Sequence, residues 1–410
     1  MLNESQKLKQ IIGLGLEIAQ YRDVDLLLER ILTLARQFVN AQAGSIYIKE
    51  DNRLKFSHTQ NDVLQKQLPA GKKLIYSHFS IPLNHESLAG HAACTDEMLN
   101  IPYVYDLPPG VPYTFNKEYD EITGYKTRSV LTTPLKTGRG GIIGVLQLLN
   151  AKDSLGADAP FAKEDEPYVM YFAGNAAIAI ERAQMTRAMI LRVNKMAELR
   201  DPKETGAHVN RVAAYSVEIY EAWARGRGAE DAEIQKNRDI LRMGAMLHDV
   251  GKVAIPDAIL KKPARLNPEE YETMKQHTYL GARLFSDKYS EFDEAASIIA
   301  LNHHERWDGL GYPGHINPAT ARPIPGCEDG KGGALGKKGA EIPPFGRVVA
   351  IADVYDALSS KRAYKDPWDE SAVLENLRGE AGKQFDPEMI DAFFSSLDVI
   401  RNISKRYSEP

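Results

Sequence analysis

The run His248-Asp249-Val250-Gly251-Lys252 constrains this chain more than any other feature. It follows Ile240-Leu241-Arg242-Met243-Gly244-Ala245-Met246-Leu247, which reads as a buried helix. An imidazole and a carboxylate at the end of such a helix are costly to bury without partners. A metal ion removes that cost, because it holds neutral imidazole and ionised carboxylate together. The alternative is a helix C-cap, with Gly251 in the left-handed conformation and His248 and Lys252 facing the helix dipole.

The remainder of the C-terminal half bears on that choice. Glu204 and His208 stand four apart, so a helix would put both on one face. His277 closes Glu272-Thr273-Met274-Lys275-Gln276-His277, and the doublet His303-His304 follows the apolar run Ala295 to Leu301. Asp353 sits inside Val348-Val349-Ala350-Ile351-Ala352-Asp353-Val354-Tyr355, a carboxylate within an apolar stretch. Each has an ordinary explanation: a satisfied core histidine, a locally bonded aspartate, a solvated first-turn acid. Together, five histidines and three acids at the ends or inner faces of apolar helices are hard to treat as independent accidents. The joint reading is a metal cluster of nitrogen and oxygen donors without sulfur.

These residues carry a resemblance. His248-Asp249 with Gly251-Lys252, then His303-His304-Glu305, then Asp308-Gly309-Leu310-Gly311-Tyr312-Pro313, resemble the HD-GYP domain, the branch of HD phosphohydrolases that cleaves cyclic di-GMP. The likeness runs over roughly residues 198–398, taking in Asn210-Arg211-Val212, Val253 to Leu260, Lys262-Pro263 and Ile351 to Leu358. It implies an all-α helical bundle and a centre of iron, with manganese as a substitute. It also places His208, His248, Asp249, His277, His303, His304 and Asp353 on ligand positions, with Asp249 bridging the ions. Glu204, four residues before the first ligand histidine, resembles the three-metal subclass. By the same likeness Lys252 lies beside the reacting phosphate, while Arg362 and Lys365 grip the substrate phosphates.

The chemistry fits those residue types. A phosphodiester is a poor electrophile, and metal ions lower the pKa of bound water from about 15.7 to roughly 7 while clamping phosphoryl oxygens. Lys252 is placed to neutralise a non-bridging oxygen, Arg362 to offer a bidentate fork and Lys365 a point charge. No Ser-His-Asp or Cys-His arrangement competes, and neither Cys94 nor Cys327 lies in a context that activates a thiol. Gly309-Leu310-Gly311-Tyr312-Pro313-Gly314 is a loop of special backbone geometry. Either it is a tight structural turn, or it stands at the mouth of the site with Tyr312 or Trp307 near a base or a partner protein. The resemblance adds a diguanylate cyclase or another signalling protein as that partner. Asn317 to Lys338 departs from the family pattern, and its glycines and lysines read as a flexible basic loop: disordered decoration, or a lid.

The N-terminal half differs. Helical spacing over residues 4–40 gives way to strand-like segments at 44–48, 54–57, 129–135 and 141–149, an α+β pattern with an antiparallel sheet. Ser87-Leu88-Ala89-Gly90, Ser129 to Leu135, Ile143 to Asn150 and Phe161 with Asp165-Glu166 resemble a GAF domain over about residues 22–185. Asn150, Lys152, Phe161, Asp165 and Glu166 are similar to a motif of cyclic-nucleotide-binding GAF domains, but Ala151 breaks the Asn-Lys adjacency, so nucleotide binding does not follow. His91 and Cys94 are read as a loop histidine and a small buried thiol rather than as ligands of an effector or haem. Tyr168 to Arg200 is a long helical pattern whose Met185, Met189, Met196 and Leu199 keep a 4-3-like spacing interrupted by Arg192. That suits a signalling helix joining two copies, or else a monomeric helix.

The multidomain reading is an N-terminal helix (1–21), a GAF-like sensor (22–167), a connecting helix (168–200), an HD-GYP phosphohydrolase domain (201–398) and a tail (399–410). Two cysteines in 410 residues suit a reducing cytoplasm. No apolar run reaches the ~20 residues of a membrane span, and no signal-peptide core opens the chain. A net charge of −5 argues against DNA as a partner and requires local cations or metals for an anionic substrate. The expected function is a metal-dependent phosphodiesterase, regulated by a small-molecule effector, that converts cyclic di-GMP to pGpG and on to GMP. The alternatives are another cyclic dinucleotide such as 3′,3′-cGAMP, or a catalytically silent cyclic-dinucleotide-binding scaffold.

Overall fold

A computed structural model describes residues 4–68, 80–199, 205–330, 332–360 and 367–407, without the side chains of 118, 119, 122 and 198. The chain divides into two compact units, Met1–Thr186 and Arg187–Pro410.

The first unit runs α1 (Glu4–Ile18), α2 (Val24–Phe38), β1 (Ala41–Glu50), β2 (Arg53–Asn61), α3 (Asp62–Lys66), β3 (Ser80–Pro82), α4 (Leu88–Thr95), β4 (Leu99–Ile101), α5 (Glu118–Thr123), β5 (Val130–Lys136), β6 (Ile142–Lys152) and β7 (Asp158–Ala159), then enters the long α6 (Glu166–Glu198). The strands form one antiparallel sheet, ordered β3-β2-β1-β6-β5-β4 with β7 beside β6. Period-2 alternation sorts its faces. Ile46, Ile48, Leu146 and Leu148 pack against Leu27, Ile31, Phe172, Ala176 and Ile180 of the helices. Tyr47 and Val145 point the other way, toward Ala89 of α4. Asp23 caps α2 by accepting from the Asp25 and Leu26 amides, and Ser87 caps α4 through the Gly90 amide.

Among its described residues the second unit is helical, as the resemblance implies, apart from one small hairpin and two isolated bridges. It comprises α7 (Gly206–Gly226), α8 (Asp231–Ala245), α9 (Asp257–Leu260), α10 (Pro268–Lys275), α11 (His277–Arg283), α12 (Glu291–Asn302), the hairpin β8 (Ile316–Asn317) and β9 (Arg322–Pro323), α13 (Pro344–Ser359), α14 (Glu370–Gly379), α15 (Pro387–Ser395) and α16 (Leu397–Arg406). Helix α16 carries the chain across residue 398, where the sequence suggests the domain ends. The core joins Val212, Tyr215 and Ile219 of α7 to Leu241 and Met243 of α8, Ile299 of α12, and Val348, Ile351 and Tyr355 of α13. Ile190, on the C-terminal part of α6, packs into this core. No described helix is long and apolar enough to cross a membrane.

Candidate metal centre

Seven of the eight sequence-predicted donors come together within the second unit. Helix α8 stops at Ala245, and the chain turns through His248 and Asp249 into a short 3-10 turn, Val250–Ala254. His208 lies in the first turn of α7, where the Thr205 hydroxyl accepts from its amide and so caps the helix. His277 opens α11, and His303 follows the end of α12. Asp353 is on α13, whose start is set by Pro344. Two groups result, Asp249-His277-His303-His304 and His208-His248-Asp353, each with its donor atoms within 4.8 Å of one another.

Gly251 is not the left-handed cap that the C-cap alternative calls for: its φ is not positive. It is a close-packing residue. A Cβ there would stand 1.9 Å from the His277 carbonyl oxygen and 2.4 Å from the Gly281 nitrogen. Only glycine lets the turn after Asp249 lie directly on the N-terminus of α11, which brings His277 to Asp249.

The imidazoles share an orientation. His248 Nδ1 donates to the Ala245 carbonyl at 2.9 Å, and His277 Nδ1 to the Met274 carbonyl at 2.7 Å. His303 Nδ1 donates to the Ile299 and Ala300 carbonyls at 3.1 and 3.0 Å, and His208 Nδ1 to Asp356 Oδ2 at 2.8 Å. A carbonyl or carboxylate partner requires the proton on Nδ1, which leaves Nε2 as the lone-pair donor. Each Nε2 faces a carboxylate. His277 and His303 Nε2 lie 3.2 and 3.5 Å from Asp249 Oδ1, and His248 Nε2 is 3.3 Å from Asp249 Oδ2. His208 Nε2 is 3.7 Å from Asp353 Oδ1. Asp249 therefore presents one oxygen to each group. Lys252 Nζ donates to its Oδ2 at 2.7 Å.

Electrostatics prepares these groups for a cation. Burial pushes the Asp249 carboxyl up, but the Lys252 ammonium and the His248 imidazole outweigh it and hold the group well below its ordinary value. Burial and the neighbouring His303 and His277 push His304 well below the usual imidazole range, and burial lowers His303. Ionised carboxylate and neutral imidazoles are the states that metal ions require. Five of the donors are buried, His304 and Asp353 are half-buried, and none is sulfur, so the residues fit a divalent metal ion.

Tyr312 closes one side. Its ring stacks on His304 with centroids 4.8 Å apart, and Lys275 Nζ lies over it at 5.5 Å. The segment 317–338 is not disordered decoration. Among its described residues, β9 pairs with β8, and the Lys337 side chain donates to Asn302 Oδ1 at 2.5 Å. The amides of Gly314 and Lys337 both donate to the buried carboxylate of Glu305, at 2.6 and 3.2 Å. Composition hides this, because main-chain groups make most of these ties.

Glu204, Arg362 and Lys365 lie outside the described residues. Sequence reasoning missed Asp356, whose Oδ1 and Oδ2 accept from Arg211 Nε and a terminal Arg211 nitrogen at 2.6 and 2.9 Å. The available signal was its position three residues after Asp353 on an apolar helix, which puts both carboxylates on one face.

In the first unit, a cavity of about 170 Å³ opens on the sheet face away from α2. Tyr47, Phe56, Phe115, Thr59, Gln147 and Asp120 are among its lining residues. None of Asn150, Lys152, Phe161, Asp165 and Glu166 lines it. Asn150 instead ties down the loop before β5 through the Tyr125 hydroxyl, the Lys126 carbonyl and the Arg128 amide, and Lys152 pairs with Asp158. His91 is a buried helix residue and Cys94 is exposed, the reverse of the expected loop histidine and buried thiol.

The HD domain model matches residues 205–358, and a second HD domain model matches 328–389. The GAF domain model matches residues 23–180. The chain thus carries an N-terminal GAF domain followed by a helical HD domain, and the histidine-aspartate cluster lies in the latter. Among relatives, it is 37% identical over 217 residues to a cyclic di-GMP phosphodiesterase of Thermotoga maritima, covering 52% of this chain and 50% of that one. It is 34% identical over 228 residues to the cyclic di-GMP phosphodiesterase response regulator RpfG of Xanthomonas campestris, covering 56% and 52%. It is also 34% identical over 224 residues to the 3′3′-cGAMP-specific phosphodiesterase 2 of Vibrio cholerae, covering 55% and 37%. The chain spans about half or less of the length of these curated relatives.

Proposed function

We propose that the second unit is an HD-GYP-type phosphodiesterase that opens cyclic di-GMP to pGpG and proceeds to GMP. The observation that carries this reading is the common orientation of His208, His248, His277 and His303, whose Nε2 atoms converge on two carboxylates beside Lys252. Iron, or manganese in its place, would be held by His208, His248, Asp249, His277, His303, His304 and Asp353, with Glu204 extending the set toward a third ion. Bound metal would activate water and neutralise phosphoryl charge. Lys252, held by Asp249 and largely buried, stands where a non-bridging phosphate oxygen would meet the cluster. Tyr312, on His304, offers an aromatic face to the substrate. Arg362 and Lys365 would grip the phosphates. The oxygen of water bonds to phosphorus as the bond to the 3′ oxygen breaks, and the proton ends on that oxygen.

The test is anaerobic incubation of iron-loaded or manganese-loaded protein with cyclic di-GMP and with 3′,3′-cGAMP, the products being separated by chromatography. The expected result is pGpG followed by GMP. Faster turnover of 3′,3′-cGAMP would favour the second substrate, to which the Vibrio cholerae relative points. No turnover of either by metal-loaded protein would leave a binding scaffold.

The first unit supports an effector role, with its cavity receiving a small molecule. The long helix supports self-association: Met185, Met189 and Met196 are 61%, 54% and 68% exposed on α6, an apolar line that a second copy would cover. Met189→Glu with Met196→Glu is expected to halve the mass measured by light scattering. An unchanged mass would remove the dimer reading.

A further inference from the structure

Side chains of the C-terminal part of α6 bond to groups that lie close in sequence to His208 and His248, or that lead to them through further hydrogen bonds. Arg187 donates to Asn210 Oδ1 at 2.6 Å, two residues beyond His208, and to the Tyr407 hydroxyl at 3.3 Å. The Tyr407 carbonyl accepts from Arg211 Nη1 at 2.8 Å. The same guanidinium grips Asp356 through two further nitrogens, and Asp356 holds His208 Nδ1. Each link is a hydrogen bond, and Arg211 and Asp356 are buried. A second anchor lies two turns further along the helix. The buried Asn194 donates from Nδ2 to the Met246 carbonyl at 3.0 Å, at the C-cap of α8 and two residues before His248. That carbonyl is one of those the helix end leaves unsatisfied, so Asn194 sets where the His248-Asp249 turn begins.

We propose that Arg187 and Asn194 of α6, with Asp356 as the relay to His208, are positioning residues that set the geometry of the metal centre, so that displacement of α6 is read out as metal-site geometry. Helix α6 also supplies Phe172, Ala176 and Ile180 to the core of the first unit, so the element holding both anchors is continuous with one buried there. Asp356 and Asp353, from successive turns of α13, grip the two nitrogens of His208 at 2.8 and 3.7 Å. With Asp356 removed, nothing in that pair selects the Nδ1-protonated form. The proposal rests on the metal-centre reading.

Equilibrium dialysis of full-length protein against Mn(II) tests it. Asp356→Asn is expected to weaken binding by roughly 10–100-fold, as the loss of a ligand's hydrogen-bond partner does in other metal sites. Because that change also removes a carboxylate from the buried Arg211, Arg187→Gln and Asn194→Ala are the decisive variants. Each should weaken binding by about threefold or more while the unfolding midpoint followed by tryptophan fluorescence stays at the parent value. Arg187→Lys should recover part of the loss. Arg225→Gln, at an α7 arginine that pairs with Glu221 and Asp231, should leave affinity unchanged. If Arg187→Gln or Asn194→Ala binds Mn(II) within about twofold of the parent, that anchor is wrong; if both do, the proposal is overturned. A parent protein that binds no Mn(II) would instead sink the metal-centre reading itself.

Discussion

Asp249→Ala is expected to remove both metal groups at once and to lower turnover of the cyclic dinucleotide by roughly 10³-fold or more, beyond the 10–100-fold that follows loss of a ligand's hydrogen-bond partner. The reason is geometric. Its two oxygens face different sets of imidazoles, His277 and His303 on one side and His248 on the other. No other carboxylate among the described donors does this, since Asp353 belongs to the second group alone. Asp353→Ala should therefore cost less metal than Asp249→Ala. Inductively coupled plasma mass spectrometry on the two variants decides it: equal metal content in both would show that Asp249 does not join the groups. Lys252 gives a further readout. Once its carboxylate partner is gone, its ammonium stands beside the remaining imidazoles and repels a cation.

Gly251→Ala should act without touching a ligand. The added methyl meets the His277 carbonyl and the Gly281 backbone, neither of which can swing aside as a side chain would. Overpacking of this kind costs about 1–3 kcal/mol and at times more, and two backbone atoms inside 2.5 Å put this site at the upper end. All three tryptophans, Trp223, Trp307 and Trp368, lie in the second unit, so their fluorescence reports its unfolding separately from the first. The expected result is a midpoint shift worth about 3 kcal/mol, together with loss of bound metal, because the step moves His277 away from Asp249. Gly226→Ala, where a Cβ meets nothing within 4 Å, should leave the midpoint unchanged or slightly raised. A Gly251→Ala protein with parental stability and metal would mean that α11 yields freely.

The candidate donors were legible because imidazole and carboxylate at the ends of apolar helices have few other uses, and seven of those side chains lie in two close groups. What escaped is of a different physical kind. Gly251 announces that a side chain is forbidden, but sequence does not distinguish a left-handed turn from a close approach, and here it is the approach. The segment 317–338 has the composition of a loose loop, yet main-chain bonds such as Leu335 to Cys327, Ile324 to His315 and the Lys337 amide to Glu305 tie it down, and amides leave no trace in composition. Asp356 was masked by its neighbour Asp353, although the three-residue interval places both on one helical face. Cys94 shows the limit of propensity: cysteine is among the most often buried residues, and α4 presents this one to solvent.

The Nδ1 protons held by the Ala245, Met274, Ile299 and Ala300 carbonyls carry one last consequence. Because the main chain already fixes how these rings are turned, capturing an ion would demand little rearrangement of them. If the cluster holds a metal, a chelator is expected to empty it and added metal to refill it with the tryptophan fluorescence of the second unit unchanged, so that its output would track the supply of metal around it.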